Sequence, residues 1–232
     1  MTRSSRTVEN GRVLEGGLGV SRLGARMSSD DVPAQSTDPI EGRFRASLQA
    51  SIDAKTALLN DVGPCVAVAH VLIDAYRRGN SMFLFGNGGS AADAQHIAAE
   101  FLGRFYIERP SLAAHALTVN TSALTAIAND YSFDEVYARQ LRGLARPGDV
   151  AVGISTSGNA RNVVAGLGAA NDCGLTSVAL TGSGGGAART VAQHWVGVPS
   201  DDTPRIQEAH IAIGHIWSEL VEAALFGDLA AE

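Results

Sequence analysis

The chain has 232 residues, 45% of them hydrophobic and 18% charged, with a formal net charge of −6. That length suits one substantial core and is short for two comfortable domains. The negative balance offers a phosphate backbone no attraction and no basic patch offsets it, so no nucleic-acid partner is expected.

No uninterrupted apolar run nears the roughly 20 residues that span a bilayer, and none of signal-peptide length opens the chain. A cytoplasmic protein with no membrane partner is therefore expected. Cys65 and Cys173 stand far apart in apolar contexts without metal or redox spacing, and read as buried thiols.

Residues 1–37 scatter Arg3, Arg6, Arg12, Arg22 and Arg26 among Ser and Gly with nothing periodic to bury, which predicts a disordered tail. Met27 could begin the native chain, so residues 1–26 are expected to be dispensable. The folded domain is predicted over 38–232. Asp38, Pro39 and Glu41 form a helix start, followed by Phe44, Leu48 and Ile52 at four-residue spacing. A second helix is predicted from about Pro64, with Val66, Ala69, Ile73 and Tyr76 on one face and Gly79 as its stop.

Beyond Gly79 five short apolar runs read as buried strands: Met82 to Phe85, His115 to Val119, Val150 to Ile154, Ser177 to Leu180 and Trp195 to Val198. Helical stretches separate them near Ala91 to Leu102, Phe133 to Leu144, Asn159 to Asn171 and Gly186 to Ala192. A last helix runs from about Pro204 to Leu225. The alternation predicts an α/β fold, a five-stranded parallel sheet flanked by helices, with N-terminal helices before the first strand. Ligands in such sheets bind where strand carboxyl ends meet helix starts.

Two of those ends carry chemistry. The first strand leads into Gly86, Asn87, Gly88, Gly89 and Ser90, which bring bare backbone near a ligand. Gly86, Gly88 and Ala91 satisfy a loose dinucleotide fingerprint, but the second strand ends in Thr118, Val119, Asn120 and Thr121, without the acid that would hold a ribose. The third strand ends in Ser155, Thr156, Ser157, Gly158 and Asn159. Three hydroxyls and free amides suit a phosphate dianion, whereas an ordinary helix cap needs one hydroxyl.

His96 and Glu100 share one helix face, a spacing that fits a metal, proton transfer or a plain exposed pair. On the last helix, Gln207 and His215 lie roughly 80° apart, whereas His210 and His215 diverge by about 140°. Only one of these histidines converges with Gln207, and spacing does not choose between them.

The order of Gly-Asn-Gly-Gly-Ser, His96, Glu100, Asn129-Asp130, Ser-Thr-Ser-Gly-Asn and Arg205-Ile206-Gln207-Glu208 resembles the sedoheptulose 7-phosphate isomerases of the sugar isomerase (SIS) family, over about residues 40 to 226. The hydroxyl loop is common to many SIS proteins; His96, Glu100, the Arg-Ile-Gln-Glu segment and a histidine eight residues after Gln207 are more specific. The resemblance implies Glu100 and His215 as the acid and base pair, and one zinc ion per subunit held by His96, Glu100, Gln207 and His215. It makes His210 structural.

It further implies that Asn87, Gly88, Gly89, Glu100, Asn129, Asp130 and Gln207 meet the sugar while Ser155, Thr156 and Ser157 hold its phosphate. Ala160 departs from the family, whose members often carry serine there. The implied reaction converts sedoheptulose 7-phosphate to glycero-manno-heptose 7-phosphate through an enediolate, the first step of heptose nucleotide biosynthesis, in a homotetramer. A replication-initiator-associating relative, a phosphosugar sensor and an isomerase of another sugar phosphate are the rival readings.

Overall fold

The computed structural model describes residues 38–230. The expected tail, 1–37, lies outside the described residues. Of a first unit, residues 1–42, only the start of helix α1 is described, where the Asp38 carboxylate accepts from the Ile40 amide. Residues 43–232 form a second unit, which holds the rest of the fold.

The elements run α1 (Pro39–Leu59), α2 (Gly63–Arg77), β1 (Met82–Gly86), α3 (Gly89–Leu102), β2 (Ala114–Ala116), α4 (Thr121–Asp130), a 3-10 turn (Phe133–Glu135), α5 (Val136–Leu144), β3 (Val150–Ser155), α6 (Arg161–Asp172), β4 (Thr176–Thr181), α7 (Gly186–Val191), β5 (His194–Gly197) and α8 (Thr203–Phe226). The five strands are all parallel, in the order β2-β1-β3-β4-β5. The expected α/β sheet is present.

Strand side chains alternate between two covered faces, which is why these strands are apolar throughout. Met82, Leu84, Val150, Val152, Ile154, Val178 and Leu180 pack with α2, α3 and α8 residues such as Leu72, Ile97, Phe101, Ile213 and Trp217. Phe83, Phe85, Ala151 and Ala179 pack on the opposite side with Val136, Tyr137, Leu141, Val163 and Leu167 of α5 and α6.

Three expectations need correcting. The second strand stops at Ala116, with the Leu117 amide still bonded to the Leu84 carbonyl, and the β-branched Thr118 and Val119 lead into a helix not foreseen from the sequence. Asn120 starts α4, accepting from the Ala123 amide at 3.0 Å. Leu124, Ile127 and Ala128 then turn inward onto the second core. Helix α6 begins at Arg161 rather than Asn159, so a short loop separates Ser157 from it. Cys65 and Cys173 are free but only partly buried, because each borders its core instead of filling it.

No single helix among the described residues is long and apolar enough to cross a membrane.

Candidate active site

In the sheet β1 and β3 are neighbours, and the connection from the carboxyl end of β1 runs to β2 on one side while that from β3 runs to β4 on the other. That reversal opens a crevice at the ends of β1 and β3. Gly86 lies beside Ile154 in register, which places the Gly-Asn-Gly-Gly loop next to the hydroxyl loop.

The hydroxyl loop is held from behind by the turn after β4. Gly158 has φ of 68°, and a Cβ there would lie 2.0 Å from the Gly185 carbonyl oxygen, so only glycine fits. The Gly182 amide donates to the Thr156 carbonyl and the Ala188 amide to the Gly158 carbonyl, both at 2.9 Å. Asn159 accepts from the Ala187 amide at 3.0 Å. Ser155 is buried, Thr156 half-buried and Ser157 exposed. Thr156 and Ser157 line a cavity of about 210 Å³ with Ser183, Ser200, Asp201 and Thr203. Four glycines in the five residues 182–186 are the sequence signal of this supporting turn.

Helices α3 and α8 cross at two points of close approach. A Cβ on Gly214 would lie 2.5 Å from Ile97, and one on Gly89 would lie 2.5 Å from the Gln207 amide nitrogen. Glycine at those places lets α8 settle deeply against α3. As a result His215 reaches His96, with the two Nε2 atoms 3.3 Å apart and the rings edge to face. His96 Nε2 lies 3.2 Å from Glu100 Oε1. One ligand atom each from His96, Glu100 and His215 falls within 4.8 Å of the others, a group able to hold a metal ion. Asp93, one turn before His96, has a buried Oδ2 without a hydrogen-bond partner; burial raises its pKa, and His96 only partly opposes this.

Gln207 is half-buried beside Gly89. Asn87, Gly88 and Gly89 are exposed at the crevice. Asn129 and Asp130 close α4, both exposed, with the Asn129 amide donating to Asp130 at 2.9 Å.

His210 takes another path. It is fully buried, with Nε2 at 3.0 Å from the Thr181 carbonyl and Nδ1 unpaired. Burial lowers its pKa to about 4, against a smaller opposing effect of the Thr181 bond. The neutral ring is therefore favoured by folding. Its contribution is full above the unfolded value of about 6.5 and is lost as pH falls towards 4, on the order of 3 kcal/mol in total. Urea unfolding of wild type and His210→Met at pH 7 and pH 5 checks this: wild type should lose more stability between the two, and equal losses would count against it.

A buried ion pair braces the end of α3 and the loop that follows it. The Arg109 and Glu222 side chains are 1% and 2% exposed and meet at 2.8 Å. Glu222 also accepts from the Phe105, Tyr106 and Ile107 amides, while Arg109 donates to the carbonyls of Glu100 and Phe101. Phe105 in turn rests against the His215 ring, 5.8 Å between centroids. This brace went unseen in the sequence because its members lie 113 residues apart.

The SIS domain family matches residues 46–182. The phosphoheptose isomerase of Akkermansia muciniphila is 51% identical over 184 residues, covering 79% of this chain and 97% of that protein. The chain belongs to the phosphoheptose isomerases of the SIS family. The phosphoheptose isomerase of Aquifex aeolicus is 55% identical over 157 residues, covering 68% of this chain and 82% of its own. The solved phosphoheptose isomerase of Neisseria gonorrhoeae superposes with a TM-score of 0.75 at 41% identity, covering 79% of this chain and 99% of that one. These matches cover 82 to 99% of the relatives' own lengths.

Proposed function

We propose that the chain is an aldose-ketose isomerase that converts D-sedoheptulose 7-phosphate to D-glycero-D-manno-heptose 7-phosphate through an enediolate. The observation that carries this reading is the meeting of His96, Glu100 and His215 from two helices beside the β1 crevice, in a chain about half identical to phosphoheptose isomerases.

The reaction moves hydrogen between C1 and C2, which takes a base at carbon, an acid at oxygen and a stabiliser of the developing oxyanion. The Glu100 carboxylate, partly shielded from water, takes the carbon-bound proton and returns it to the neighbouring carbon. His215 exchanges the proton of the oxygen. Ser155, Thr156 and Ser157 hold the phosphate, and Asn87, Gly88, Gly89, Asn129, Asp130 and Gln207 line the sugar, so the non-reacting end fixes the reacting carbons. Ala160 leaves the start of α6 without a side-chain cap, and the three preceding hydroxyls carry the phosphate alone.

Two imidazoles and a carboxylate are a donor set suited to zinc. The His96–Glu100 and His96–His215 separations of 3.2 and 3.3 Å are short enough for these side chains to share one ion. His96, Glu100 and His215 would hold the ion, with Gln207 as the fourth ligand. When bound, zinc polarises the substrate carbonyl oxygen.

The oligomer is a homotetramer in this reading. Helix α1 buries only Ser51 and Ala54, and leaves Phe44, Leu48 and Ile52 at least half exposed. A groove of about 530 Å³ beside it is lined by apolar residues including Ile52, Leu59, Val66 and Ile216. A second copy of the chain supplies the missing cover. Light scattering at micromolar concentration should give four subunits, and Leu48→Glu with Ile52→Glu should give smaller species; a monomeric wild type would refute the tetramer.

Turnover tests the function itself. Purified protein with zinc should convert sedoheptulose 7-phosphate to an aldose product, and should do so faster than it isomerises shorter ketose phosphates. No conversion, or preference for another sugar phosphate, would overturn the substrate assignment.

A further inference from the structure

Asn87 does not stand alone at the crevice. Its Nδ2 donates to Asn162 Oδ1 at 2.8 Å, and Asn162 Nδ2 donates back to Asn87 Oδ1 at 2.9 Å. The Tyr137 hydroxyl lies 3.2 Å from the same Asn87 oxygen and also contacts the Gly86 carbonyl. Asn162 is 2% exposed on α6 and Tyr137 is 3% exposed on α5, whereas Asn87 is exposed on the loop. Two buried groups from two helices therefore converge on one exposed amide.

A primary amide offers two N–H donors and one carbonyl oxygen with two lone pairs. Here Asn162 and Tyr137 face the oxygen, and Asn162 takes one N–H. What remains free on Asn87 is the second N–H. Burial pushes the Tyr137 pKa up to about 12, with the Gly86 bond opposing, so the hydroxyl keeps its one proton, which the Gly86 carbonyl and Asn87 Oδ1 share.

We propose that Asn162 and Tyr137 are positioning residues, Asn162 holding the plane of the Asn87 amide and Tyr137 its direction, so that the amide meets the sugar phosphate only as a hydrogen-bond donor. The proposal rests on the assignment of Asn87 to the sugar. A donor fixed in advance suits a substrate oxygen that gains negative charge, since it needs no reorientation as the charge develops. Its effect then falls on kcat more than on KM. A residue needed only for folding would show no such split.

The test is a double-mutant cycle in the zinc-loaded enzyme with sedoheptulose 7-phosphate. Aspartate at 162 keeps the shape and accepts from Asn87 Nδ2, but repels Asn87 Oδ1 and frees the amide to turn. Asn87→Ala and Asn162→Asp should each lower kcat by about tenfold with KM little changed, as expected for one misplaced hydrogen bond. The double variant should be no worse than Asn87→Ala, because Asn162 acts through Asn87. Tyr137→Phe, combined with Asn87→Ala in the same way, decides by the same rule if Asn162→Asp does not fold. Losses that multiply, or an unimpaired Asn162→Asp beside a damaged Asn87→Ala, would overturn the proposal alone. A kinetically silent Asn87→Ala would remove Asn87 from the sugar and take the proposal with it.

Discussion

Glu100→Gln should abolish isomerisation, lowering kcat by about 10²- to 10⁴-fold, the usual contribution of a positioned general base, while the protein stays folded. The amide keeps the shape of the side chain but cannot accept the carbon-bound proton. Because Glu100 lies 3.2 Å from His96 and belongs to the candidate metal group, loss of metal must be separated from loss of the base. His96→Ala makes that separation: it removes a proposed ligand and no proposed proton carrier, so added zinc should restore more activity to it than to Glu100→Gln. His215→Ala should be as damaging as Glu100→Gln. Steady-state kinetics with metal content measured in parallel gives the answer, and an inactive but stably folded His210→Ala beside a fully active His215→Ala would show that the site is misassigned.

Breaking the Arg109–Glu222 pair should cost about 3–5 kcal/mol of stability, because either single change leaves a charge uncompensated in the interior. Burial by itself would raise the Glu222 pKa, but the amides of Phe105, Ile107 and Tyr106 together with Arg109 hold it below the ordinary value. Its stabilisation is therefore present above the unfolded pKa, about 4.3, and is lost as pH falls through the lower folded value. Replacing both partners by apolar residues often recovers stability, but here it should not. Arg109→Met with Glu222→Leu still strands the three backbone amides of the 105–107 loop that Glu222 satisfies. Thermal and urea unfolding of Glu222→Gln and the double variant checks this, and a double variant as stable as wild type would disprove it.

Much of the fold could be read along the chain because it is written in local patterns. Apolar runs of strand length separated by helical stretches specify a parallel sheet, and all five runs overlap observed strands. Helix α4 escaped because Thr118, Val119 and Thr121 favour extended backbone locally, while the Asn120 cap and the packing of Leu124 and Ile127 decide for helix. The same limit explains Phe44, Leu48 and Ile52. Their spacing correctly marked one helical face, but spacing carries no information on whether that face meets the chain's own core, and it does not.

At the site the division is sharper. The sequence by itself determined the two loops, the His96-Glu100 pair on one turn of helix, and the fact that His210 and His215 point in different directions, since each depends on residues close together in the chain. Spacing along the chain does not say which histidine meets His96; the family resemblance points to His215, and the physical choice is made by tertiary structure. The choice depends on how α8 lies against α3, and that is set by Gly214 against Ile97, contacts between residues more than a hundred positions apart. Asn162 and Tyr137 behind Asn87, and Glu222 behind Phe105, were hidden for the same reason. A buried polar group acquires its role from the partner that folding brings to it, and no local pattern in the sequence encodes that partner.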